Sequence, residues 1–123
     1  MQEGGRIASE AVSVGIRTAL NILEKWSCDS QQAKALLKLP ESYNNLDLDK
    51  VNFSLEHVER VSYILNIHAS LRMVFTNPEN IYGFMKMVNH NFPFNGVTPI
   101  DFISNGETVN FQTVMEHIDK LIL

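Results

Sequence analysis

Ser54-Leu55-Glu56-His57-Val58-Glu59-Arg60-Val61-Ser62-Tyr63-Ile64-Leu65-Asn66-Ile67-His68-Ala69-Ser70-Leu71-Arg72-Met73-Val74-Phe75 decides the fold class of this chain. Ser54 is suited to cap a helix. Leu55, Val58, Val61, Ile64, Leu65, His68, Leu71, Met73 or Val74, and Phe75 then recur at the three- and four-residue intervals of one wide apolar face. Upstream, Val12, Ile16, Ala19, Leu20, Leu23 and Trp26 repeat the same period, which predicts a first helix from about Ser9 to Trp26. Asp29 and Gln32 have the spacing of a capping box. With Ala33, Leu36 and Leu37 they predict a short second helix that Pro40 ends.

Downstream, Asn77-Pro78 pairs a cap residue with proline at the first helical position. It opens a segment with Ile81, Phe84, Met85 and Val88 on one side. Asn91-Phe92-Pro93-Phe94-Asn95-Gly96-Val97 reads as a turn, followed by a helix from Thr98 to Asn105 with Thr98 as cap, Pro99 in the first turn and Gly106 as stop. Asp101 falls three residues after that cap, near the positive helix end. Phe111, Val114, Met115, Ile118, Leu121 and Ile122 predict a last amphipathic helix running to the C-terminus. Leu46-Asp47-Leu48-Asp49 reads as connection. No stretch alternates apolar and polar residues long enough for a strand, so the expected class is all-α, in two parts meeting near Phe75 to Pro78: residues 1–75 and 76–123.

With 45% hydrophobic and 20% charged residues among 123, the chain has the apolar material for a core and is not of disordered composition. Its net charge of -4 is unevenly spread: residues 1–75 hold 8 basic and 9 acidic groups, residues 76–123 hold 2 and 5. Neither part is basic, which disfavours strong non-specific binding to nucleic acid. Cys28 is the single cysteine, so an intrachain disulfide and a thiolate-rich metal site are both ruled out. The absence of a long apolar run or a secretory h-region leads to the expectation of a cytoplasmic protein with no membrane partner. His57, His68, His90 and His117 lack the short spacing of metal ligands, and Cys28, beside Ser27 and Asp29, has no visible base. No metal, cofactor or catalytic residue is expected. His68 reads as a packed core histidine.

The order of these signals resembles the Xre/MbcA/ParS family of bacterial antitoxins, whose members join an Xre-like helical region to a C-terminal toxin-binding domain. The residues that carry the likeness are Phe84, Asn91, Phe94, Gly96, Thr98, Pro99, Ile100, Asp101, Phe102, Ile103 and Gly106. They stand where the family has a helical aromatic, Pro-Asn, an apolar residue, Gly, Thr-Pro-Leu-Asp, two apolar residues and a later Gly. Ala19 to Trp26, Asp29 to Leu37, and Leu55 to Leu71 extend the likeness upstream. The chain departs from the pattern at His90 for proline, Phe84 for tryptophan and Asn95 for glycine.

The resemblance implies a non-enzymatic antitoxin that blocks a RES-domain toxin, an enzyme consuming cellular NAD. In such complexes the C-terminal domain, often with the extreme C-terminus, covers or enters the toxin's active-site region. Lys120, Leu121, Ile122 and Leu123 are therefore the candidate toxin contacts. Most of the Asn91 to Gly106 motif is expected to be structural, because caps and special-backbone positions usually are. The likeness also raises an alternative, a helix-turn-helix regulator of transcription. Its turn would be Lys38-Leu39-Pro40 and its recognition element Glu41 to Asp47, with Lys34, Lys38, Tyr43, Asn44 and Asn45 as candidate DNA contacts, and Arg17 and Lys50 as further phosphate anchors. A third reading is an interaction module without a toxin. Symmetric dimers are the commonest soluble assembly, so a homodimer is expected.

Overall fold

A computed structural model describes residues 2–104 and 107–122, with side chains from Glu10 onward. Six α-helices follow one another: α1 Gln2–Lys25, α2 Ser30–Leu37, α3 Leu55–Val74, α4 Pro78–Gly83, α5 Pro99–Ile103 and α6 Thr108–Asp119. Single 3-10 turns lie at Tyr43–Asn45, Leu48–Lys50 and Phe84–Lys86. Among the described residues the only β pairing is the isolated bridge between Asn89 and Val97, so the protein is all-α. No helix among the described residues is long and apolar enough to cross a membrane.

The local signals act as their chemistry dictates. Asp29 accepts from the Gln32 amide at 2.8 Å while the Gln32 side chain accepts from the Asp29 amide at 2.9 Å, which closes the capping box of α2. Lys38 then stops α2 in the left-handed region at φ 54°. Asn77 caps α4 through its side-chain oxygen. At α3 a histidine replaces the usual glutamate: the Ser54 amide donates to His57 Nδ1 at 3.1 Å. With Nδ1 accepting, Nε2 carries the proton and donates to the Lys38 carbonyl at 3.0 Å, tying the end of α2 to the start of α3.

Helix α3 forms the axis of the core. Val61, Ile64, Ile67 and Leu71 are buried on it, α1 contributes Ile16, Ala19, Leu23 and Trp26, and α6 adds Phe111, Val114 and Ile118. The two expected parts thus share one core, because α3 belongs to the first and α6 to the second. A buried cation completes the join. Arg60 is 1% exposed, donates to the Leu36 carbonyl of α2 at 3.1 Å, and pairs with Glu56 one turn back at 2.7 Å. Its guanidinium also lies 5.7 Å from the centre of the Phe111 ring.

Several expectations are corrected. Val61, Ile64 and Leu71 are buried as expected, with Leu65, Val74 and Phe75 packed against the core, but Leu55 and Met73 are over 70% exposed and Arg60 and Ile67 join the inward face. α4 ends at Gly83 and passes into a 3-10 turn, which carries Val88 out to solvent. The first helix begins at Gln2, ahead of Ser9, and the last ends at Asp119, with Leu121 beyond it in a turn. The Glu41 to Asp47 recognition element is a single 3-10 turn. Pro40 lacks an amide to donate, Asn44-Asn45 favour turns over helix, and Asp47 caps the next turn through the Asp49 amide at 3.1 Å.

Candidate functional site

The corner from Asn89 to Ser104 is closed by backbone bonds. The Asn89 amide donates to the Val97 carbonyl at 3.1 Å, and the Gly96 amide returns to the Asn89 carbonyl at 2.8 Å. Between them Asn91 accepts from the amides of Phe94 and Asn95. Asn95 and Gly96 both adopt left-handed backbone, at φ 53° and 103°, and the Phe92-Pro93 bond is cis. Asparagine is one of the few non-glycine residues that tolerate this region, which accounts for Asn95 at a left-handed position. Thr98 Oγ1 accepts from the Asp101 amide at 3.0 Å and caps α5, with Pro99 in its first turn.

Motif residues sort cleanly by burial. Phe94, Pro99 and Ile100 are buried, Phe84 is half-buried against Phe75 at 5.9 Å between ring centres, and Asn91, Gly96 and Asp101 are exposed. Gly106 lies outside the described residues. Phe94 meets Phe102 edge-on at 5.4 Å and His117 of α6 at 5.0 Å. This contact brings the corner alongside the last turn of α6, and Lys120, Leu121 and Ile122 follow within five residues of His117. Leu121 is 45% exposed and Lys120 is exposed; Leu123 lies outside the described residues.

The sequence reading did not anticipate how much apolar surface borders this corner. Phe92 is 79% exposed, and Met87, Val88 and Val97 are also open to solvent. Phe92 was readable only as part of a turn, because its outward direction depends on Phe94 being the residue that α6 receives. Exposed aromatics rimmed by polar groups are common anchors of protein contacts.

The DNA candidates are not brought together as a groove-reading helix. Tyr43 is buried, Lys34 is paired with Glu41, the Lys38 carbonyl is engaged by His57, and Asn44 and Asn45 are exposed on the 3-10 turn. Of the two further anchors, Arg17 pairs with Asp49 at 3.1 Å, and Lys50 lies 4.0 Å from Asp47. Tyr43 and Asn44 instead help line a cleft of about 330 Å³ with Leu20, Glu24, Cys28 and Asp29. Burial, only partly offset by Lys86, pushes the Cys28 thiol up from 9.0 to about 11. Reactive cysteines have the reverse setting. At pH 8 its thiolate fraction should fall about a hundredfold, so Cys28 should resist a disulfide reagent in the folded chain and react at an ordinary rate in denaturant.

His68 and His117 are both held below the ordinary 6.5, the first by burial, Arg72 and Lys25, the second by burial and Lys120. The unfolded chain therefore takes up these protons before the folded one. Stability is expected to be level above pH 6.5 and to fall below it. Melting at pH 7.5 and 5.5 measures this, and a double His68→Gln, His117→Gln variant should flatten the slope.

No group of three or more metal-ligating side chains occurs among the described residues. Comparison of the chain with family models, with curated proteins and with solved structures found no match.

Proposed function

We propose that this protein is an antitoxin that binds a RES-domain, NAD-consuming toxin and occludes its active site. One observation carries the reading: the Phe94–His117 contact sets the motif corner, with its exposed Phe92, beside the end of the last helix. Backbone hydrogen bonds close the corner, and Lys120 and Leu121 at the end of α6 are exposed. An apolar anchor on a closed corner loses little entropy on binding, and Lys120, Leu121 and Ile122 can follow it into a cleft built for an anionic nucleotide. Nothing in this mechanism turns over a substrate. Burial of partner surface alone keeps the toxin from NAD.

The motif supports the reading by its order: a helical aromatic, the Asn91 to Gly96 turn, and the Thr98-Pro99-x-Asp101 cap are all present in one small domain. The protein should form a complex with the product of the adjacent gene, and NAD consumption by that product should stop in the complex. Equal consumption with and without this chain would overturn the proposal. Deleting Lys120 to Leu123 then tests the terminal contact by itself. Unimpaired inhibition by the shortened chain would move the contact to the corner and keep the antitoxin assignment.

A further inference from the structure

Asn95-Gly96 combines two features that oppose each other. Chemically, asparagine followed by glycine readily loses its side-chain amide, because the next backbone nitrogen can reach the Asn Cγ and glycine has no Cβ to obstruct it. Structurally, that nitrogen is already engaged. The Gly96 amide donates to the Asn89 carbonyl at 2.8 Å, in the corner that the Asn89 to Val97 bridge closes. Asn95 is held in the left-handed region at φ 53°, and its own amide donates to the Asn91 carbonyl at 3.1 Å.

Nothing else shields the pair. Asn95 and Gly96 are both exposed, and a Cβ placed on Gly96 would meet, among the described residues beyond its chain neighbours, only His90 Nδ1 at 3.9 Å. The Asn95 side chain is held by a long hydrogen bond, Nδ2 donating to the Pro93 carbonyl at 3.4 Å. Water therefore reaches the pair, and the Asn89–Gly96 hydrogen bond is what withholds the nucleophile. A bonded backbone N–H gives up its proton only after the bond opens, the same opening that limits hydrogen exchange.

We propose that Asn95 is a self-modification site held in check by the closed corner. When the Asn89–Gly96 bond opens, hydroxide takes the Gly96 amide proton and the nitrogen attacks Asn95 Cγ. The Cγ–Nδ2 bond breaks, and ammonia leaves with a proton from water, which regenerates hydroxide. The product is a succinimide. Water then cleaves either of its two ring bonds to nitrogen: cleavage at Cγ gives aspartate, and cleavage at the main-chain carbonyl gives isoaspartate. Aspartate keeps the backbone and tolerates the left-handed region, so the corner recloses. Isoaspartate routes the main chain through Cγ and adds an atom between residue 95 and Gly96, which carries the Gly96 amide away from the Asn89 carbonyl. The corner then stays open. This chemistry is independent of the antitoxin reading.

The test incubates the full chain in mildly alkaline buffer, folded and in guanidinium, and follows Asn95 by tandem mass spectrometry, which separates it from the other Asn-Gly pair at Asn105-Gly106. Asn95 should lose ammonia at least about tenfold more slowly in the folded chain, and the slowing should match the hydrogen-exchange protection of the Gly96 amide within about threefold. Phe94→Leu, which loosens the corner, should raise the exchange and the deamidation together. The isoaspartate form, aged in denaturant, isolated and refolded, should lack Gly96 protection, whereas Asn95→Asp should retain it. Three results would overturn the proposal: equal rates in the folded and denatured chains, Gly96 exchange that rises without faster deamidation, or a protected Gly96 amide in the isoaspartate form.

Discussion

Alanine at position 94 should cost the protein about 3–5 kcal/mol, the range for removing a fully packed phenylalanine. Phe94 is 2% exposed and fills the space between Phe102 and His117. Its loss removes dispersion contacts on both sides and leaves a void that α5 and α6 cannot both move to close. For a domain of this size the melting temperature should fall by roughly 10–20 °C. Urea unfolding of Phe94→Ala and Phe94→Leu would check the mechanism. The leucine variant should recover more than half of the loss, because it restores volume without the edge-on ring contacts. On the proposed function, toxin inhibition should suffer out of proportion, since the corner would lose its seat on α6. Phe92→Ser separates the two effects: with its ring 79% exposed, this change should leave stability within about 0.5 kcal/mol and weaken only the complex.

The second large effect belongs to Arg60. Arg60→Ala should destabilise by about 3 kcal/mol or more, as it strips a hydrogen bond from the buried Leu36 carbonyl and opens a cavity under Phe111. Glu56 is not the main victim, because its side chain is 51% exposed and can turn to water. Arg60 holds the Glu56 carboxyl below its ordinary value by hydrogen bonding and charge, with smaller help from Lys38 and His57, so the depression should shrink in the variant. Arg60→Met keeps most of the volume and should cost about 1–3 kcal/mol, the cost of the bare carbonyl. Denaturant melts of the two variants measure how much of the site is bulk and how much is polar satisfaction. Equal losses would assign the whole effect to the guanidinium.

Local chemistry was legible in the sequence and long-range placement was not. The boxes and caps at Asp29, Asn77 and Thr98 follow from residues three positions apart, so each could be read without knowing what the helix packs against. Arg60 could not be read that way. Its position with Ile64, Ile67 and Leu71, at spacings of four, three and four, marks the buried face, but a charged residue reads as solvated until the carbonyl of another helix is known to meet it. Val88 failed for the opposite reason: it continued an apolar pattern past the end of α4, where the period no longer has meaning. The segment Glu41 to Asp47, a recognition element only in the transcription-regulator alternative, forms a single 3-10 turn, as Pro40 and Asn44-Asn45 favour. At the candidate site, the corner was predicted as a shape, while the outward Phe92 and the approach to His117 depend on which aromatic the last helix accepts.

The sharing of α3 between the two parts of the chain bears on how the protein is destroyed. A protease that cut between α3 and α4 would not liberate a working C-terminal fragment, because α6 would lose the surface on which Phe111, Val114 and Ile118 are buried. The C-terminal part has no separate existence to be rescued. Loss of either part should therefore expose the buried core face of the other to water.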